Sequence, residues 1–167
     1  HDLHRYSRAW CGAVCHPSLV GAVADLIGPN VELHHTTLHA KPPQTGHPFP
    51  MHQDWAFYPH TNPDLLAVGI MLDDIDQENA PLMIFPKSHQ GKTMDHHHRE
   101  VFCGSVDLLG EKLDPSSATK ITGPAGSVSF HHVKALHGSA PNTSDRSRSL
   151  LLYEYAAADA WPLIDFE

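Results

Sequence analysis

Residues 49–55 read Phe49-Pro-Met-His-Gln-Asp-Trp55, and this short run decides how the chain has to fold. Alternate residues of an extended strand share a face, so His52 and Asp54 reach one centre while Gln53 points elsewhere. An imidazole and a carboxylate so placed can hold two adjacent positions of one metal ion. The third protein ligand must then come from a distant strand, and His137-Gly-Ser139 is placed to supply it. Two histidines and one carboxylate on one face of an octahedral Fe(II) leave three positions open for a chelating molecule and O2. The fold must bring remote strands side by side around that centre.

Outward from this run, strand candidates follow in a regular series. They are Val31–Leu38, Phe49–Trp55, Leu65–Leu72, Leu82–Phe85, Thr119–Ile121, Ser127–Phe130, Ala135–Ser139 and Ser149–Tyr155. Eight short strands punctuated by Pro, Gly and Asn predict an all-β sandwich, a jelly roll. Residues 1–30 read as helical and residues 31–155 as the β core of a single domain spanning 1–167. His16-Pro17-Ser18 opens a helix with an apolar face of Leu19, Val20, Val23 and Leu26, and Gly28-Pro29 closes it. Lys41-Pro-Pro-Gln-Thr-Gly46 separates the first strand from the metal pair, and Gly123-Pro-Ala-Gly126 predicts a tight turn. The acidic run Asp73–Asn79 lacks the alternating oxygens and central glycine of a calcium loop and reads as a turn. Residues 87–115 carry little strand signal, and a loop of this length is often a lid.

Composition narrows the function classes. The chain has 167 residues, 11 Lys plus Arg against 19 Asp plus Glu, and a formal net charge of −8. That balance argues against nucleic acid as a partner. The apolar runs read as strand-sized, so no membrane span is expected. Three cysteines, an odd number, argue against a disulfide framework and suit a reducing compartment such as the cytoplasm. Cys11 and Cys15 with His16 lack a fourth zinc ligand and read as buried free thiols. The sequence starts at His1 without a methionine or a recognisable leader, as a piece of a longer protein would. Among 16 histidines most need a structural explanation. Asp95-His-His-His98 reads as an exposed polar loop. In His34-His35 and His131-His132 only one ring of each pair is expected to face the interior, in packing or second-shell hydrogen bonds.

Lys41-Pro-Pro, His52-Gln-Asp54 with Trp55, Asn79 before Pro81-Leu82, Pro86-Lys-Ser-His89, Gly126, and His137-Gly-Ser139 with Asn142 and Arg148 together resemble the phytanoyl-CoA dioxygenase family. The likeness runs from about Val31 to Tyr155. It implies a double-stranded β-helix (jelly roll, cupin-like) and a dioxygenase using Fe(II), 2-oxoglutarate and O2. It implies that His52, Asp54 and His137 hold the iron, with Arg148 and Ser139 on the distal carboxylate of 2-oxoglutarate. A guanidinium fork suits that carboxylate and stays charged when desolvated. Arg146 shares strand parity with Arg148, and only the family offset favours the latter. Thr37 falls where better-known members place a methionine near the cosubstrate, and Ile70 where they often have a tryptophan. Gln53, Thr37 and Ile70 are thereby cosubstrate-pocket candidates. The family's lysine expected upstream of Val31 is not placed by these residues.

The implied chemistry is oxidative decarboxylation to succinate and CO2 with hydroxylation of an unactivated C–H bond of a small organic substrate. Asp54 argues against halogenation, because related halogenases carry a small residue there. Trp55, Phe57, Tyr58 and His60 follow the metal pair and either line the substrate entrance or pack in the core. Two other readings stay open at this stage. One is a non-catalytic jelly-roll protein binding Zn or another divalent ion, for which a carboxylate anchor such as Ser139 with Arg148 has no use. The other makes every histidine structural. The substrate itself (acyl-CoA, free metabolite or amino-acid derivative) and the oligomeric state are not written in these motifs.

Overall fold

The structure, a computed structural model, describes residues 2–44 and 47–164. Thr45 and Gly46, the end of the predicted break after the first strand, lie outside the described residues. Two helices, α1 (Arg8–Val14) and α2 (Pro17–Ile27), precede ten strands. These are β1 (Val31–Lys41), β2 (Phe49–His52), β3 (Leu65–Met71), β4 (Leu82–Ile84), β5 (His97–His98), β6 (Val101–Phe102), β7 (Thr119–Ile121), β8 (Val128–His132), β9 (His137–Ser139) and β10 (Arg148–Ala157). All eight predicted strands form. The β5–β6 hairpin is an addition, inside the stretch that showed little strand signal.

Two four-stranded antiparallel sheets make the jelly roll, ordered β1-β10-β3-β8 and β2-β9-β4-β7. Strand β10 lies between β1 and β3 and carries the parity that divides core from cavity. Its Leu151, Tyr153 and Tyr155 pack with Leu66 and Val68 of β3 and with Val14, Leu19 and Val23 of the helices. The alternate residues Arg148, Leu150, Leu152 and Glu154 face a cavity on the other side. Tyr153 and Tyr155 also donate their hydroxyls to the Trp10 and Val14 carbonyls at 2.9 and 2.7 Å, which ties α1 to the sheet.

Helix α2 starts at Pro17 and stops at Gly28, whose φ of 103° needs a residue without a Cβ. Its buried residues are Leu19 and Val23. Leu26, expected on that face, is 59 % exposed, and Ile27 packs on the core instead. Arg8–Ile27 is, by length and composition, apolar enough to cross a membrane, contrary to the expectation of no such stretch. It is interrupted at Cys15-His16 ahead of Pro17, and one face lies on the sheet. The cysteine expectation also fails in part: Cys11, Cys15 and Cys103 are free, but exposed.

Candidate metal centre and its pocket

Strands β2 and β9 pair with His52 directly opposite His137, and side chains so placed lie within direct reach of one another. Asp54 reaches the pair differently from the way its spacing suggested. Strand β2 ends at His52, and Asp54 opens a 3-10 turn over Asp54–Ala56. The turn swings the carboxylate back, so that Oδ1 lies 3.3 Å from His52 Nε2 and 3.7 Å from His137 Nε2. Ligands about 2.1 Å from one ion on adjacent octahedral positions sit about 3 Å apart, so the three atoms have the spread of a metal site. They form the one His/Cys/Asp/Glu cluster of that kind among the described residues.

The imidazoles are set for it. His52 Nδ1 donates to the Pro50 carbonyl at 2.8 Å and His137 Nδ1 to the Ala135 carbonyl at 2.9 Å. Each proton is thereby held on Nδ1, which leaves the Nε2 lone pair for a cation. Burial lowers the pKa of His137 and keeps that ring neutral. For Asp54 burial acts upward, but His137, His52 and His131 outweigh it and hold the carboxyl well below its ordinary range. Two imidazoles that present Nε2 and a carboxylate are the donor set a hard or borderline divalent ion takes, so these residues fit Fe(II).

Neighbouring segments hold the ligands in place. Gly138 lies so close to β2 that a Cβ there would stand 2.6 Å from the Phe49 carbonyl. Leu136 N–H donates to Ser88 Oγ at 2.8 Å, beside the ligand strand. Gln53 turns away from the centre, as its parity predicts. Its side chain donates to the Lys134 carbonyl at 2.7 Å and accepts from Met94 N–H at 2.7 Å. It is a clasp between loops, not part of the cosubstrate pocket. His96 caps it by accepting from Gln53 N–H at 2.9 Å. The run expected to be an exposed loop therefore has one buried member, His96, while Asp95, His97 and His98 face solvent.

A cavity of about 620 Å³ opens beside the triad, with Arg148, Ser139 and Thr37 in its lining. Arg148 is buried, and a carbonyl orients its guanidinium: Nε and Nη2 both donate to Ala80 O, at 3.0 and 2.5 Å. Ala80 has a φ of 60°, and Asn79 next to it bonds the Asp74 carbonyl and Asp76 N–H. Burial lowers the Arg148 pKa to about 10, so it keeps its charge at neutral pH. Arg146, its rival in sequence, is exposed and paired with Asp76. Asp73, Asp74 and Asp76 accept from backbone N–H groups, so the acidic run is a hydrogen-bonded turn.

Ile70 is excluded from this cavity by register. It pairs with Leu151, whereas Thr37 pairs with Leu152. Directly opposed residues share a face, so Ile70 points to the helix-covered core and Thr37 to the cavity. Of the residues after the metal pair, Phe57 and Tyr58 line the cavity. Trp55 packs with the Tyr58–Leu65 cluster, and His60 is buried behind, with its ring 5.0 Å from that of His34.

Sequence reasoning missed the far end of the cavity, where His34, His35, His131 and Glu154 stand around Tyr58. A register shift between Leu33 and His35 turns both neighbours inward, where one was expected. His131 Nε2 is 3.8 Å from Asp54 Oδ2. Burial and the charge of Asp54 raise the Glu154 pKa well above its ordinary value. The available signal was Glu154 itself, a lone carboxyl at Arg148 parity in the apolar run Leu150–Tyr155.

Residues 1–150 match the sequence profile of the family described as Phytanoyl-CoA dioxygenase (PhyH). The chain belongs to this family. Within the phytanoyl-CoA dioxygenase family it is 44 % identical over 165 residues to a probable alpha-ketoglutarate-dependent hypophosphite dioxygenase of Stutzerimonas stutzeri, over 96 % of this chain and 57 % of that protein. It is 29 % identical to the L-proline trans-4-hydroxylase of Streptomyces griseoviridis, over 93 % of this chain and 65 % of that one. The chain therefore spans little more than half of the first relative's length and just under two thirds of the second's. Among solved structures, a non-heme monooxygenase, ThoJ in its apo form, superposes with a TM-score of 0.80 at 26 % identity, over 93 % of this chain and 58 % of that one. This phytanoyl-CoA dioxygenase family member thus has the jelly roll that its strand series predicted, in the cupin-like double-stranded β-helix form that the family resemblance implied.

Proposed function

We propose that this chain is the catalytic portion of an Fe(II)- and 2-oxoglutarate-dependent dioxygenase that hydroxylates a small-molecule substrate and releases succinate and CO2. The observation that carries this reading is the convergence of His52 Nε2, His137 Nε2 and Asp54 Oδ1, with both histidines held at Nδ1 by backbone carbonyls, in one cavity with Arg148. His52, Asp54 and His137 are the iron ligands in this reading. Arg148 and Ser139 hold the distal carboxylate of 2-oxoglutarate, and Thr37 forms part of the wall beside it. When bound, the iron supplies the activation of O2. The chain's own residues would hold the iron through His52, Asp54 and His137 and orient the cosubstrate through Arg148 and Ser139. The relatives' names support the same class, since the two most similar ones described above are an alpha-ketoglutarate-dependent dioxygenase and a hydroxylase. Free cysteines fit the reducing cytoplasm.

The test is an anaerobic titration of the chain with Fe(II) and then 2-oxoglutarate, reading the weak visible metal-to-ligand charge-transfer band, beside His52→Ala and Arg148→Ala. A band in the parent, lost in His52→Ala and requiring far more 2-oxoglutarate in Arg148→Ala, is expected. Bound metal without a band in folded parent protein would favour the non-catalytic metal binder.

A further inference from the structure

We propose that the end of the cavity formed by His34, His35, Tyr58, His131 and Glu154 is the primary-substrate subsite, and that it takes a compact oxyanion of hypophosphite size rather than an acyl thioester. This rests on the oxygenase reading above. Strand β10 carries Arg148, Leu150, Leu152 and Glu154 on one face, and at about 3.3 Å per residue its two polar ends lie roughly 20 Å apart. The cavity therefore has a polar pole at Arg148, an apolar middle and a second polar pole at Glu154. The cosubstrate's carboxylate accounts for the first pole, and nothing in the binding of 2-oxoglutarate uses the second.

That second pole is built onto the metal centre. His131 lies 3.8 Å from Asp54, and its ring centroid is 4.5 Å from that of His137. The rings of His34 and His35 stand 5.0 and 5.4 Å from that of Tyr58. The bulge in β1 brings both His34 and His35 to this wall, and bulges beside active sites characteristically re-aim side chains in this way. His34 Nδ1 and His35 Nδ1 are 2.7 Å apart, so one ring accepts there and must carry its proton on Nε2 as a donor. His131 Nδ1 and Glu154 Oε2 are buried with no hydrogen-bond partner among the described residues. The Tyr58 hydroxyl hydrogen-bonds the side chains of Asp54 and Glu154, and the imidazole N–H groups beside it are the wall's donors to oxygen acceptors. An acyl chain would desolvate them and return no hydrogen bond. Hypophosphite is the oxyanion named for the relative that is 44 % identical over 96 % of this chain.

The step balances. One P–H bond of hypophosphite becomes P–OH, giving phosphite, while 2-oxoglutarate loses CO2 and becomes succinate. One oxygen atom of O2 enters each product. The P–H bond and the broken C1–C2 bond of the cosubstrate each supply two of the four electrons that reduce O2.

The experiment loads the chain anaerobically with Fe(II) and 2-oxoglutarate, records the charge-transfer band, and titrates hypophosphite, L-proline and a long-chain acyl-CoA by calorimetry. The same is done with His34→Leu and with His131→Phe, which removes the buried, unpartnered Nδ1. Hypophosphite is expected to bind, and each variant to weaken it by at least about tenfold, the loss of one hydrogen bond to a charged group, with 2-oxoglutarate affinity kept within about twofold. Admitting O2 should then give phosphite by 31P NMR. A parent that shows the band but ignores hypophosphite, or prefers proline or the acyl-CoA, overturns the substrate class. Unchanged hypophosphite affinity in both variants overturns the subsite. A parent without the band overturns the oxygenase reading, and the assignment falls with it.

Discussion

Replacing Arg148 by alanine gives the sharpest test of how the cavity is organised. The side chain is 2 % exposed, and Ala80 O accepts from its Nε and Nη2. A carboxylate bound against it loses the one Lys or Arg in the described lining of the cavity when the guanidinium is removed. Truncating one partner of a buried, hydrogen-bonded charge pair costs about 2–5 kcal/mol, which at about 1.4 kcal/mol per decade is a loss of roughly 30-fold to several thousand-fold in affinity. Arg148→Lys keeps the charge and loses the fork, so it should fall between parent and alanine. Arg146→Ala removes an exposed pair with Asp76, and its effect on 2-oxoglutarate should stay within about twofold. The assay is 2-oxoglutarate titration of the Fe(II)-loaded chain by the charge-transfer band, with thermal melting as a control. Losing the donors to Ala80 O costs about 1–3 kcal/mol, or several degrees of melting temperature for a chain of this size. A folded, iron-binding Arg148→Ala with 2-oxoglutarate affinity within about threefold of the parent would refute the reasoning. So would an Arg146→Ala variant that matches its loss.

Three further outcomes follow from the same geometry. Gly138→Ala puts a Cβ 2.6 Å from the Phe49 carbonyl and 3.1 Å from Met51 Sδ; it should cost about 1–3 kcal/mol in denaturant melts and weaken Fe(II) binding by displacing His137, and parent-like stability would contradict the close approach. His96→Ala strands the buried Gln53 N–H and should lower stability by about 1–3 kcal/mol, whereas the exposed His98→Ala should change it by under about 0.5 kcal/mol. Acid should destabilise the metal-free chain through His34 and His39, whose pKa values burial lowers from 6.5 to about 4. Unfolded imidazoles take up protons below 6.5 and folded ones only near 4, so stability falls as pH drops through that window, and this contribution levels off below it. Melting temperatures flat between pH 7 and pH 4 would rule that out.

The strands were legible because each is short, apolar or alternating, and bounded by turn residues. Leu65–Met71 and Arg148–Ala157 could hardly be read otherwise. Gly126, with a φ of 87°, makes the turn its sequence announces. His52, Asp54 and His137 were legible as a set from residue type and order, although the local reason given for Asp54 was incomplete. Period-two parity assumes that the strand continues, and here a 3-10 turn begins at Asp54 and delivers the carboxylate by another route. The β5–β6 hairpin was silent because His97–His98 and Val101–Phe102 are too short and exposed to carry a pattern.

The sequence by itself determined the layered β architecture, through local periodicity, and it offered His52, Asp54 and His137 as candidate ligands, with Arg148 singled out through the family resemblance. Only the tertiary structure decided which arginine faces the cavity, that Ile70 lies in the core while Thr37 lines the pocket, that Gln53 and His96 are a clasp between loops, and that His34, His35, His131 and Glu154 form a second polar pole. The placements of Thr37, Ile70, His34 and His35 are set by cross-strand register and by the bulge in β1. A shift of one residue exchanges the two faces of a strand, and no local signal in the chain records which shift the packed sheets adopt.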